Sequence, residues 1–403
     1  MPLVAYYVVV LLLGCALANP ETDGYVGLAA NNSLVLRPPP GGQVLVDGID
    51  IHALVQTTEA LKAQVKALEL KLESNLCRTV ADITTITGGL TGNTKWAGGV
   101  LAGNSKIYFM PYFSASVLVV DPATDTTANI LTKEGAEPYT EGQWHHGVLA
   151  PNGKIYGAPW FSTSVLVIDP ASNTVDTTTL SGLPSEINKW VGGVLLGNGK
   201  IYCTPASASS VLVIDPATNT TDTTAITVQG GPWFWHSGVL ASNSKIYCIP
   251  RRSPSVLIID PSQNTTHLLG DFGSGDKWYG GVLAGNGKIF GIPLDSAAML
   301  IIDPTNDRTE TIAVSGSTTS GLKWIGGVLA NNGKIYGIPF GAASVLVIDP
   351  ATNSTDITSS MIKMPKPQSQ KWVGGVLAGN GKIYAAPYNA ESVLIIKRDC
   401  DGL

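Results

Sequence analysis

The side chains best suited to chemistry in this sequence are three histidines, the adjacent pair His145 and His146 and the more distant His236. Imidazole titrates near neutral pH and is a common metal ligand, so convergence of these rings would make an acid–base pair or a divalent-metal site. No H-x-H, H-E-x-x-H or Cys/His spacing surrounds them, and linear motifs therefore do not support a metal. A nucleophile elbow of the G-x-S-x-G kind and a Gly-rich phosphate loop ahead of a helix are also missing from the sequence. A second group is suited to holding a ligand: Tyr112, Phe113, Trp160, Phe161, Trp233, Arg251, Arg252, Phe340 and Tyr388. Aromatics such as Tyr112, Trp160 and Tyr388 suit the apolar faces of sugars, and they serve equally well as packing.

What positions these residues is a repeat. The unit W-x-x-G-V-L, then N-Gly/Ser-K-I-Tyr/Phe, then Pro occurs seven times, with Trp at 96, 144, 190, 235, 278, 324 and 372 and spacings of 43 to 48 residues. Each unit holds four short strand-like runs separated by turn signals; in the second unit these are 147–150, 154–158, 164–168 and 175–180. Asn152-Gly153 fits the tight turn of a hairpin, and Asp169-Pro170 ends a strand. Four antiparallel strands per unit at this period predict an all-β fold, a seven-bladed β-propeller spanning 78–400. The last unit stops at Ile395-Ile396-Lys397, while 82–86 looks like the fourth strand of other units, so this N-terminal strand is expected to complete the last blade. Cys77 and Cys400 flank that seam and are expected to form a disulfide. Cys203 and Cys248 share one repeat position, either as small buried residues or as an inter-blade bridge.

N-G-K-I-Y followed by S-V-L-V-I-D-P-A-T-N resembles the repeats of extracellular and surface propellers of the YVTN and kelch-like type, and more loosely those of propeller lactonases and streptogramin lyases. The resemblance implies the fold over roughly 79–398. The lactonase and lyase families rely on acidic or His residues around the central channel with a divalent metal, and no matching set carries over to this chain. Such folds host unrelated chemistries.

Departures from the repeat carry the functional reading. Lys106, Lys154, Lys200, Lys245, Lys288 and Lys334 are expected opposite Asp121, Asp169, Asp215, Asp260, Asp303 and Asp349 as intra-blade ion pairs, whereas Lys382 faces Lys397 beside Arg398 and leaves a local positive spot. Each Trp is expected just before the innermost strand, packing between blades. The loops after the repeated Pro differ from unit to unit, as binding loops on a rigid scaffold do. At the second position after Trp, His146 and Ser237 replace Gly, with His145 and His236 immediately before them.

Outside the repeat, residues 1–18 read as a signal peptide with an Ala16-Leu17-Ala18 end, with a lipidated Cys15 as the rival reading. Asn31, Asn219, Asn264 and Asn353 are N-glycosylation acceptors in a secretory route. Residues 19–48 read as an extended linker or small β collar. Ile51, Leu54, Thr58, Leu61, Val65, Leu68 and Leu72 predict an amphipathic helix over 49–75 that either packs on the propeller or forms a short coiled coil, with a homo-oligomer favoured. A net charge of −5 with scattered Lys and Arg argues against nucleic acid, and no apolar run after residue 20 reaches a membrane span. The expected function is a secreted or cell-surface propeller that binds a glycan, peptide or protein partner without a cofactor. The alternative is a metal-assisted hydrolase or lyase using His145, His146 or His236.

Overall fold

The protein is described from a computed structural model, which covers 78–399 apart from 134–137, 140, 229–234, 318–320 and 359–369. Before these it covers the strands Tyr25–Leu28, Leu34–Arg37, Leu45–Val46 and Ile49–Asp50 and a helix over 55–65. The chain divides into two units, Met1–Leu76 and Cys77–Leu403.

In the first unit Tyr25–Leu28 pairs antiparallel with Leu34–Arg37, and Leu45–Val46 pairs with Ile49–Asp50. Residues Ile49 and Asp50 are thus strand, and the described helix begins at 55 instead of at the expected 49. Its residues are exposed, Leu61 and Val65 by 54% and 50%, so within this unit no described packing covers the apolar face.

In the second unit seven four-stranded antiparallel sheets stand in sequence order. Blade 2 shows the pattern with Trp144–Leu149, Ile155–Pro159, Leu166–Asp169 and Thr174–Asp176. The first strand of each blade packs on the first strands of its neighbours, and Trp372–Leu377 meets Trp96–Leu101 to close the ring. Trp is the first residue of that strand and not a residue ahead of it: Trp144 pairs with Pro159 across the ladder. Its indole Nε1 donates to the carbonyl of Ser164 at 2.8 Å, and the other six Trp make the same bond twenty residues along. The rings fill the seams between blades; Trp96 packs with Tyr384, Ala386 and Ile395 of the last blade. Burying one such ring contributes on the order of 2–3 kcal/mol.

Ring closure occurs by strand Arg78–Asp82, which pairs with Leu394–Asp399 from Arg78↔Asp399 to Asp82↔Ile395. The closing strand therefore lies over 78–82, not 82–86. Asp82 ends it because its carboxylate accepts the backbone N–H groups of Thr84 and Thr85 and turns the chain. Asp176 and Asp222 make the same turn, which shortens those outer strands to three residues, and the chain re-pairs through single bridges at Thr87, Ser181 and Thr227.

Two further belts join the blades. Asn380 Nδ2 donates to the carbonyl of Pro122 at 2.9 Å and to Tyr384 Oη at 3.0 Å; Asn104 and Asn243 repeat this toward Pro170 and Pro304. This is what the repeated N-x-K-I-Y and D-P motifs do. At the other end of the ladder, the backbone N–H before each of six Trp donates to the carbonyl just after Pro in the preceding blade, including Lys95 to Tyr388 across the closure. In five units that residue is lysine, all 8% exposed or less, and the ammonium donates to loop carbonyls: Lys371 Nζ reaches Phe340 at 3.1 Å and Ala342 at 2.8 Å.

The expected ion pairs form at Lys106–Asp121, Lys154–Asp169, Lys200–Asp215, Lys245–Asp260 and Lys334–Asp349, at 3.3 to 4.0 Å. Two differ. Lys288 pairs with Glu310, because blade 5 has a six-residue outer strand that brings this glutamate alongside. The positive spot expected at the seam is neutralised, with Lys382 on Asp125 at 3.2 Å and Lys397 on Asp82 at 3.4 Å, since the next blade and the closing strand each supply a carboxylate.

Candidate functional site

The first strand of every blade carries a bulge at the second residue after Trp, where the ladder register shifts. Six of these residues have left-handed φ, and only glycine takes that without cost; Ser237 holds it at +57° and His146 is the one that does not. The bulges face one another around the axis. A Cβ on Gly326 would lie 3.2 Å from the Cα of Gly374, and one on Gly98 would lie 2.5 Å from the His146 ring. The G-G-V-L run is thus what lets seven strands converge. It leaves an axial cavity of about 150 Å³ lined by this ring with His236 and Tyr279.

The residue directly after Trp forms a second, fully internal tier. Ala97, Val191, Ile325 and Val373 are 0 to 4% exposed, His145 5%, His236 1% and Tyr279 6%. The three histidines therefore converge although they come from two blades, and their ligating atoms lie within 4.8 Å of one another. His145 Nδ1 is 2.6 Å from His146 Nδ1, and its Nε2 is 2.9 Å from the Tyr279 hydroxyl. His236 stacks on the Tyr279 ring with centroids 3.3 Å apart, and neither of its buried ring nitrogens has a hydrogen-bond partner. Burial holds all three well below the usual imidazole range, His146 at about 4, with neighbouring histidines and Arg251 adding to the effect at His145 and His236. Each neutral ring has one lone pair, and across the 2.6 Å contact one of His145 and His146 donates to the other's.

The residues after the repeated Pro close over this tier. Tyr112 lies edge-on to His145 and Phe113, His145 lies 5.4 Å from Tyr112 and 5.5 Å from Trp160, and Tyr388 bridges Tyr112 and Phe340. Trp160 and Phe340 are 6% exposed, so they act as interior packing, while Tyr112, Phe113, Phe161 and Tyr388 are half-buried. Arg251 sits 5.3 Å from the Tyr279 ring and shares one carboxylate, Asp276, with Arg252, at 2.6 and 3.0 Å. Burial works to raise that carboxyl, but Arg252 and Arg251 outweigh it and hold it below its ordinary range.

Two site residues escaped the sequence reading. Tyr279 carries no motif, yet comparing the residue after Trp across units, A-H-V-H-Y-I-V, marks three departures in one tier. Asp276 had no signal. Of the other expectations, Asn219 and Asn264 are exposed at turns and Asn353 is half-buried. Cys203 and Cys248 are free and buried, their thiols pushed up to about 12 by desolvation. Asn31, Cys77, Cys400 and Trp233 lie outside the described residues.

No protein-family model matches the sequence, and neither does any curated protein. Among solved structures the chain is similar to a streptogramin B lyase, with TM-score 0.64, 10% identity and coverage of 80% of this chain and 98% of that one. A virginiamycin B lyase from Staphylococcus aureus gives TM-score 0.64 at 9% identity over 79% and 99% of the chains; that structure is of a catalytically inactive His-to-Ala variant with quinupristin. The extracellular domain of a putative hybrid two-component system from B. thetaiotaomicron gives 0.58 at 9% identity over 79% of this chain and 42% of that one. At such identities the likeness shows the fold alone.

Proposed function

We propose that this chain is a secreted or cell-surface recognition propeller that binds a glycan, peptide or protein partner at the axial mouth on the Trp/Pro face, multimerised by the helix within 49–75. One observation carries the reading. Residues common to all units are consumed by the packing and bonding of the blades, whereas the departures gather on one face, where Phe113 and Phe161 are only partly buried and the Arg252 side chain is 53% exposed. Stacking on the two rings and charge-assisted hydrogen bonds from the arginine would hold such a partner, and linked copies would add avidity. Secretion, N-glycans at Asn31, Asn219, Asn264 and Asn353 and a Cys77–Cys400 bridge belong to the same proposal. The test is a glycan and peptide array with the secreted protein and its Phe161→Ala and Arg252→Ala variants, beside sedimentation of wild type and Leu61→Asp/Val65→Asp. Loss of array binding in the face variants and of multimers in the helix variant is expected; no array signal and a monomeric wild type would remove the reading.

The clustering of three histidines, two of which line the axial cavity, favours a second reading, a metal-assisted hydrolase or lyase. The inactive His-to-Ala lyase of the same fold is in keeping with it. A screen of lactone and cyclic-ester hydrolysis or elimination, comparing wild type with His236→Val, tests it.

A further inference from the structure

We propose that His145, His146 and His236 form a three-histidine centre for a borderline divalent transition ion, Zn²⁺ or its chemical neighbours Co²⁺, Ni²⁺ and Cu²⁺, with Tyr279 holding His145 in the ligating tautomer. The inference deepens the second reading above, but it is decided by metal binding and not by turnover.

The spacing fits. Two ligands at about 2.0–2.1 Å from a tetrahedral ion sit about 3.3 Å apart, and one ring nitrogen from each of the three histidines lies within 4.8 Å of the others. Small rotations of the rings therefore seat an ion between them. His236 supplies an independent sign: at 1% exposed, with both ring nitrogens unpartnered, it is a buried polar group with nothing to bond except what the cavity holds.

Tyr279 does what the outer shell of a histidine site does. With its hydroxyl accepting the Nε2–H of His145 at 2.9 Å, the lone pair stays on Nδ1, where it accepts the Nδ1–H of His146 at 2.6 Å until an ion takes the place of that proton. The same ring stacks on His236 and sets its plane.

The donor set also selects the ion. All three ligands are neutral imidazoles, and among the described residues lining the cavity there is no carboxylate, so the site suits Zn²⁺, Co²⁺, Ni²⁺ or Cu²⁺ and not the oxygen-preferring Mg²⁺ or Ca²⁺. Arg251, the nearest cation, has its charge met by Asp276. The cavity of about 150 Å³ leaves room for water or a small ligand in the open fourth position.

The test uses tag-free protein stripped with chelator and titrated with Co²⁺, followed by visible absorption and by metal analysis after gel filtration. One Co²⁺ per chain is expected, with the absorption of a tetrahedral nitrogen-ligated ion, displaced by Zn²⁺ and untouched by equal Mg²⁺. His145→Val, His236→Val and His146→Gly substitute residues that other units carry at those positions, so the fold is kept. Each should weaken binding at least 10-fold; Tyr279→Phe should weaken it about 10-fold, and His267→Ala, on an outer strand, should leave it unchanged. Absence of stoichiometric binding, or binding that survives in the His145→Val/His236→Val double variant, would overturn the proposal. Stoichiometric, histidine-dependent binding without turnover would uphold the centre while removing the hydrolase or lyase reading.

Discussion

The glycine ring makes the most exacting prediction, because it separates backbone strain from axial packing. Gly153 and Gly98 both have left-handed φ, +78° and +58°. A Cβ added at Gly153 meets nothing within 4 Å, whereas one at Gly98 would lie 2.5 Å from His146 Cδ2 and 3.0 Å from the His145 carbonyl oxygen. Gly153→Ala should therefore cost only the left-handed strain of an L-residue, about 1–2 kcal/mol. Gly98→Ala adds overpacking of about 1–3 kcal/mol, for about 2–5 kcal/mol in all. With unfolding entropy scaling with chain length, each kcal/mol shifts Tm by about 1.5 °C in a domain of this size. Differential scanning calorimetry should show a fall of about 2–3 °C for Gly153→Ala and about 3–8 °C for Gly98→Ala. The His146 ring has to move in the second variant alone, so it should also bind Co²⁺ more weakly while Gly153→Ala binds it normally. Equal Tm losses and equal metal affinities would refute the claim that the first-strand glycines exist to let the blades meet at the axis.

Other outcomes follow from the same geometry. Cys77 and Cys400 stand one residue beyond the Arg78↔Asp399 pair of the closing ladder; the unreduced, unfolded chain lacking residues 1–18 should titrate two thiols, those of Cys203 and Cys248, whereas four would disprove the bridge. Reduction should then lower stability by about 6 kcal/mol in the chain-entropy account. Lys371→Met leaves the Phe340 and Ala342 carbonyls without that donor inside the ring, and a cost of about 1–3 kcal/mol in denaturant unfolding is expected; no change would mean that the buried ammonium is dispensable. At Asp176 burial pushes the carboxyl up, but the hydroxyls and N–H groups of Thr179 and Thr178 outweigh it and hold it at about 2. The folded pKa lies below the ordinary value of about 3.9, so this group's contribution is complete above that value and is lost as the pH falls toward 2. Asp176→Asn should flatten the acid limb of a Tm-against-pH curve, and an unaltered limb would rule out its contribution.

Much of the architecture was legible in one sequence because it is written seven times. Asn-Gly turns, Asp-Pro ends and alternating Val, Leu and Ile act over a few residues, so period, blade number, strand count and the lysine–aspartate pairs could be read locally. Where sequence and structure part, the causes are also specific: in D-I-T-T-I the aspartate accepts the amides two and three residues on and turns the chain, and the carboxylate that Lys382 uses, Asp125, comes from the next blade. The site was readable only as departures at His145, His146 and His236, and Tyr279 was missed. Nothing in linear order places residues of the second, fourth and fifth units side by side. That required the bulge to turn each first strand toward the axis and glycine to let seven of them meet, which are consequences of ring closure. The sequence by itself thus determined the blade, whose hydrogen bonds span some twenty residues; the tertiary structure decided the centre, because the distances between its imidazoles exist only once the first and last blades have joined.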